Sequence, residues 1–211
     1  MEDHRALISE SYDTWAEPYT ELFGDAALAR AADRAQIALL ASLVREAGGG
    51  LVADLGCGPG HWSAYLHDHG VDVVGIDLSP RFVATARLTY AEIEFVQGSM
   101  TDLEADDASL AGALAWYSLI HTPPDALGAD LTAVRRMLAH DAPLLVGFGT
   151  TDPRAGDPLP VEHKVAPAYR WPVDAMVAVL RDAGFTEVST TTRRPEPDER
   201  SAQAYLLVRA A

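Results

Sequence analysis

From Leu51 to Trp62 the chain reads Leu-Val-Ala-Asp-Leu-Gly-Cys-Gly-Pro-Gly-His-Trp. An apolar run reaches an acid, and three glycines then stand at alternate positions. A polar, amphipathic segment, His61 to His69, follows and is closed by Gly70. This is the pattern of a buried strand, a tight loop and a helix. Glycine is required where a backbone bends sharply or lets a ligand come within contact distance. The start of a helix leaves unpaired N–H groups, so such a loop suits a ligand with polar or anionic parts. Taken alone, it is equally the pattern of an ordinary strand-to-helix turn.

The spacing narrows the choice. Dinucleotide folds use Gly-x-Gly-x-x-Gly. Here the third glycine comes one residue early, and His61 stands where that pattern needs glycine. Asp54 lies two residues before the first glycine. The segment Asp54-Leu55-Gly56-Cys57-Gly58-Pro59-Gly60 resembles the first motif of the class I S-adenosylmethionine-dependent methyltransferases. The resemblance implies that the loop of Gly56, Cys57, Gly58 and Gly60 lies against the methionine part of S-adenosylmethionine. It also implies that Asp54 contacts the amino group, directly or through water. The cofactor would be S-adenosyl-L-methionine and the product S-adenosyl-L-homocysteine.

Upstream, Tyr12, Trp15, Tyr19 and Phe23 place aromatic rings four residues apart on one helical face. That face either packs on the core or, as the resemblance of Tyr12-Asp13-Thr14-Trp15-Ala16-Glu17-Pro18-Tyr19 to a family segment implies, closes over the cofactor through Tyr12 and Tyr19. Pro18 is expected to break or kink the helix. Asp25 to Ala47 reads as a long helix, with Leu28, Ala31, Ala35, Leu39 and Leu43 as its apolar stripe and a Gly48-Gly49-Gly50 stop.

Downstream, Val71 to Ile76 reads as strand 2, with Ser79 as N-cap and Pro80 as first residue of the next helix. Asp77 then sits at the carboxyl end of a strand, where a carboxylate accepts both ribose hydroxyls of a nucleoside. The other role open to it is a second cap. Ile93 to Gln97 is strand 3. By the family resemblance, the loop Gly98-Ser99-Met100-Thr101-Asp102 borders the adenine, with Ser99 and Asp102 near its amine and Met100 on the ring face or edge, unless Met100 is a core residue after the turn; Leu78 is a further candidate at the cofactor. Leu110 to Ile120 is expected as strand 4, ending Trp116-Tyr117-Ser118-Leu119-Ile120-His121-Thr122-Pro123-Pro124. The family puts the reacting centre at this end, with Trp116 and Tyr117 beside the cofactor. The run resembles the ubiquinone/menaquinone-type small-molecule group. His121 is the candidate general base, with an imidazole expected to titrate near pH 6–7; its other role would be to cap the following helix. Tyr117, His163 and Tyr169 are rivals for the base.

A helix is expected from Asp125 to about Ala139 and strand 5 over Pro143–Gly149. Residues 150–170 lack periodicity, as a functional lid does, unless they hide a strand. A last helix runs to Ala183. Phe185–Thr192 and Ala204–Val208 close the chain as an antiparallel pair. The order predicts an α/β, Rossmann-like open sheet of seven strands with helices on both faces, last strand antiparallel, in order 3-2-1-4-5-7-6. Residues 1–211 are expected as a single domain, with 1–24 as an N-terminal cap and 150–170 as a substrate-side loop.

The net charge of −15 repels phosphate backbones, so no nucleic-acid partner is expected. No run of about 18 apolar residues predicts a membrane span. The start, Met1-Glu2-Asp3-His4, lacks the build of a signal peptide, and a lone cysteine fits a reducing cytoplasm. The seven histidines show no ligand spacing, and no metal site is expected. The function implied is methyl transfer to O, N or C of a small molecule, a secondary metabolite, by a monomer or homodimer. A binding protein of this fold repurposed for other chemistry remains open, and an NAD-dependent oxidoreductase is disfavoured by His61.

Overall fold

The computed structural model describes residues 2–151, 156–163 and 165–211. Its main sheet has seven strands: β1 Leu51–Leu55, β2 Asp72–Asp77, β3 Glu94–Gln97, β4 Gly112–Trp116, β5 Pro143–Gly149, β8 Phe185–Arg193 and β9 Gln203–Ala210. They lie in the order β3-β2-β1-β4-β5-β9-β8. The first five are parallel; β9 is antiparallel to both neighbours. This is the predicted architecture. The chain reverses direction across the sheet between β1 and β4, and in open α/β sheets a ligand crevice opens outside the carboxyl ends of the strands at that point.

Alternation along the strands divides the core in two. Ala113, Ala115, Leu144 and Val146 face one cluster with Leu127, Leu131 and Val134 of α5 (Pro124–Met137) and Met176 and Leu180 of α6 (Val173–Asp182). Val52, Leu114 and Leu145 face the other, with α2 (Ala31–Glu46), α3 (His61–Asp68) and α4 (Pro80–Thr89).

Several boundaries differ from expectation. The helix predicted over Asp25–Ala47 is split: a 3-10 turn at Ala26–Leu28 precedes α2. Its buried stripe is Ile37, Leu40, Ala41 and Val44, while Leu39 is 41% exposed and Leu28 is 78% exposed. The face carrying the β-branched Ile37 and Val44 turns inward. Helix α1, Glu2–Phe23, runs unbroken through Pro18. The hydrogen bond that Pro18 cannot donate is lost, but contacts on both sides of it hold the helix down. Strand 4 stops at Trp116 rather than Ile120 because Tyr117 adopts φ 55, in the left-handed region. A 3-10 turn at Leu119–His121 then leads to α5. Within the stretch read as aperiodic, β6 (Leu159–Val161) and β7 (Ala168–Arg170) form a small hairpin; residues 152–155 and Lys164 lie outside the described residues.

Candidate functional site

A cavity opens at the carboxyl ends of β1, β2 and β4 beneath α1. Tyr12, Tyr19, Gly56, Gly58, Asp77, Leu78, Gly98, Ser99, Met100, Trp116, Tyr117 and His121 all line it. Asp54, Cys57 and Gly60, expected at the cofactor, do not. Asp54 is 1% exposed behind the loop, where its Oδ2 accepts a hydrogen bond from Ser63 Oγ at 2.6 Å. The Cys57 side chain belongs to the core under α3, and burial raises its thiol pKa well above the usual value. Gly60 is tight against core side chains: a Cβ there would meet the Phe95 ring at 2.9 Å and Ala86 at 3.0 Å.

The glycine loop also serves differently from the expectation. The N–H groups of Gly56 and Cys57 both donate to Ile76 O, at 2.8 and 3.0 Å. Gly58 N–H donates to Asp77 Oδ2 at 2.8 Å. These donors are therefore used within the protein, binding β1 to the end of β2. What the loop contributes is shape. A Cβ on Gly58 would meet no atom within 4 Å, consistent with its place on the cavity wall, whereas one on Gly56 would strike Ser118 Cβ at 2.4 Å.

Asp77 is fixed at both ends, its Oδ1 accepting from Ser79 N–H at 2.9 Å. Each carboxylate oxygen keeps a further lone pair for a ligand hydroxyl. Burial pushes its pKa up to about 6, against the pull of the Ser79 and Gly58 N–H groups. Asp54 is pushed up to about 7, by burial first, against the Ser63 hydroxyl and with Asp77 adding to the rise. Two buried carboxyls so close disfavour joint ionisation. A ligand carrying positive charge and a vicinal diol relieves that cost, and both are features of S-adenosylmethionine; the donor set therefore fits this cofactor.

The cover is built from distant parts of the chain. Ser9 Oγ donates to Leu78 O at 2.9 Å, and Asp13 Oδ1 accepts from Ser79 Oγ, pinning α1 across β2 and α4. Tyr12 packs its ring edge-on against Tyr19 and against His121. His121 is 4% exposed. Its Nδ1 lies 2.8 Å from Pro167 O, its Nε2 lies 2.8 Å from Tyr12 Oη, and its backbone oxygen accepts from His4 Nε2 at 2.7 Å. Burial pushes the imidazole pKa down to about 4, not the 6–7 expected; the nearby His163 and His4 push the same way and the Pro167 carbonyl opposes them.

Of the rivals, Tyr117 turns its hydroxyl away to Gln203 Oε1 at 2.7 Å, and burial raises its pKa. His163 makes a ring contact with His121, and Tyr169 packs beside the core. Ser118 and Thr122, within the run expected at the reacting centre, line the cavity too, and so do Arg5 and Asp130, which carry no signal in the sequence. Arg5 and Asp130, 125 residues apart, meet at 3.3 Å, a pairing only the fold reveals. Among the described residues no helix is long and apolar enough to cross a membrane, and no group of three or more His, Cys, Asp or Glu side chains could hold a metal ion.

Residues 52–141 match a family described as a methyltransferase domain. A malonyl-[acyl-carrier protein] O-methyltransferase of Enterobacter lignolyticus is 39% identical over 88 residues, 41% of this chain and 34% of that one. The chain thus spans about a third of that relative's length. Among solved structures, the Burkholderia thailandensis 1,6-didemethyltoxoflavin-N1-methyltransferase, bound to its substrate and S-adenosylhomocysteine, superposes with a TM-score of 0.77. It is 21% identical, over all of this chain and 90% of its own. The [4+2]-cyclase SpnF also has a TM-score of 0.77, at 17% identity over 96% of this chain and 95% of its own. These two likenesses concern the fold.

Proposed function

We propose that this chain, a class I S-adenosylmethionine-dependent methyltransferase by its fold and its methyltransferase-domain segment, transfers a methyl group to O, N or C of a small molecule. The observation that carries the reading is the cavity floor: Asp77 held between the Gly58 and Ser79 N–H groups at the β1/β4 reversal, beside an open Gly58. When bound, S-adenosylmethionine supplies a methyl group on a positively charged sulfur, which departs with the electron pair of the broken bond.

The residues of the chain do the rest. Asp77 receives the ribose hydroxyls; Leu78, Gly98, Ser99 and Met100 border the base; Gly56, Gly58, Trp116 and Tyr117 shape the methionine end. Helix α1 closes the cavity with Tyr12 and Tyr19 and excludes water. Alignment of this kind is the main contribution when the methyl group is already activated. His121, neutral at physiological pH, takes the acceptor's proton where there is one. Residues 1–211 act as one domain, with 1–24 as its cap and 150–170 on the substrate side. We place the protein in the cytoplasm, acting on a secondary metabolite without nucleic acid or membrane.

A second reading rests on the fold shared with a cyclase: the same cavity could hold the cofactor without using its methyl group. Incubation with S-adenosylmethionine and a metabolite extract separates the two. Acceptor-dependent formation of S-adenosylhomocysteine supports methyl transfer; binding without its formation on any extract supports the second reading.

A further inference from the structure

Resting on the methyl-transfer reading, we infer that the acceptor is a neutral nucleophile that still carries its proton, an O–H or N–H group rather than a carboxylate, and that this proton leaves through Tyr12 to His121. Two observations carry the inference: the direction of the hydrogen bonds around His121, and the absence of an unengaged arginine or lysine in the cavity among the described residues.

The carbonyl oxygen of Pro167 can only accept, so His121 Nδ1, 2.8 Å away, carries the ring proton. A neutral imidazole then presents its lone pair at Nε2. Tyr12 Oη lies 2.8 Å from Nε2 and therefore donates to it. The free lone pairs of Tyr12 Oη are what this pair offers to the cavity that Tyr12 lines. The acceptor's proton passes to Tyr12 Oη as the hydroxyl proton of Tyr12 passes to His121 Nε2. The acceptor keeps the electron pair of the broken bond for its new bond to the methyl carbon. His121 ends as an imidazolium, its Nδ1–H still donating to Pro167 O. Tyr12 ends as it began. The other titratable groups facing the ring are His4 from α1 and His163 from the β6–β7 connection.

A carboxylate needs no such route, because at neutral pH it has already lost its proton. It needs a cation. Among the described residues the arginine that lines the cavity is Arg5, which is engaged by Asp130 Oδ1 and Thr101 Oγ1 at 3.3 and 3.1 Å and lies 3.9 Å from Asp102. His4 spends its Nε2–H on the His121 carbonyl. Asp77 and Asp130 add carboxyls to the same walls. An anionic acceptor would meet proton-removing machinery it does not use and charge of its own sign.

Nitrogen-15 spectra of the full chain, histidine-labelled and saturated with S-adenosylhomocysteine, test the proton route without turnover. The His121 signals are assigned by their loss in His121→Asn. At pH 7 the expected pattern is a protonated Nδ1 and a bare Nε2, with Tyr12→Phe shifting the Nε2 resonance. An Nε2–H tautomer, or an imidazolium at pH 7, overturns the route. The acceptor class is tested by profiling metabolites with labelled S-adenosylmethionine. Acceptors are expected to carry a neutral O–H or N–H, and Tyr12→Phe to lower their kcat about 100-fold at a KM within about threefold. Methylation of a carboxylate, the malonyl group of a thioester for example, at a rate that Tyr12→Phe leaves unchanged overturns it. A calorimetric failure to bind S-adenosylhomocysteine at all counts against the methyl-transfer reading instead.

Discussion

The floor and the cover of the cavity are built by opposite means. The floor is made of backbone and neighbours: Gly56 and Cys57 donate to Ile76 O, Gly58 donates to Asp77, and Ser79 closes the other side of that carboxyl. All lie in or just beyond the unit β1–α3–β2. The cover is made of side chains brought from far apart: Tyr12 to His121 across 109 residues, Arg5 to Asp130 across 125, His121 to Pro167 across 46. On the proposed reading, a floor of this kind holds any ligand with the right diol and charge, whatever the reaction. On the same reading, the cover sets which acceptor enters and where its proton goes. Binding and turnover should therefore be separable by mutation.

The sharpest separation is expected at His121. His121→Ala should lower kcat about 100-fold or more while leaving cofactor affinity within about twofold. With the imidazole held at about 4, the wild-type rate should show no histidine step between pH 6 and 8. A step at pH 6–7 that vanishes in the variant would mean that the ring is solvated, and the cover open, in the working enzyme.

Asp77 is the converse case. Asp77→Ala should weaken cofactor binding by about 1.5–3 kcal/mol, roughly 10- to 100-fold. A loss below about 0.5 kcal/mol would return Asp77 to the role of a cap for α4. Its ionisation gives a third, smaller test. The carboxyl titrates at about 6 in the folded chain and near 3.9 when unfolded. Between these values the folded state holds more protons, so the contribution of Asp77 to stability is fully present below about pH 4 and lost as pH rises through about 6. A ligand that prefers the carboxylate behaves oppositely: S-adenosylmethionine affinity should be about tenfold weaker at pH 5 than at pH 7.5. Asp77→Asn should flatten that slope.

The same contrast explains what could be read before the structure. The floor was legible because its parts are consecutive: glycine spacing, a strand ending in Asp77, and a Ser-Pro helix start. Asp54, Cys57 and Gly60 share the motif but face the core, because side chains alternate along β1 and the loop turns away before α3. The cover was legible only in outline. Tyr12, Tyr19 and His121 stood out by type and position, but Arg5 and Asp130 carry no local pattern. The tautomer of His121 depends on a carbonyl in a hairpin whose strands are three residues each. Tyr117 could not be foreseen in the left-handed region, so strand 4 was extended past its end.

The glycines provide the finest comparison within the floor. Gly58→Ala and Gly60→Ala both place a side chain at positive φ, with φ of 54 and 87, at a cost of about 1–2 kcal/mol. Gly60→Ala must also displace the Phe95 ring and Ala86, a further 1–3 kcal/mol or so. Thermal melts should therefore show a lower Tm for Gly60→Ala than for Gly58→Ala. Equal melting temperatures would mean that the packing around Gly60 relaxes.

The account rests above all on the identity of the ligand that the floor receives. Titration calorimetry of the full chain with S-adenosylhomocysteine and, separately, with NAD addresses it most directly. The account predicts saturable binding of S-adenosylhomocysteine, weakened at least tenfold by Asp77→Ala, and no measurable binding of NAD. Tighter binding of NAD, or no binding of S-adenosylhomocysteine by folded protein, would contradict it.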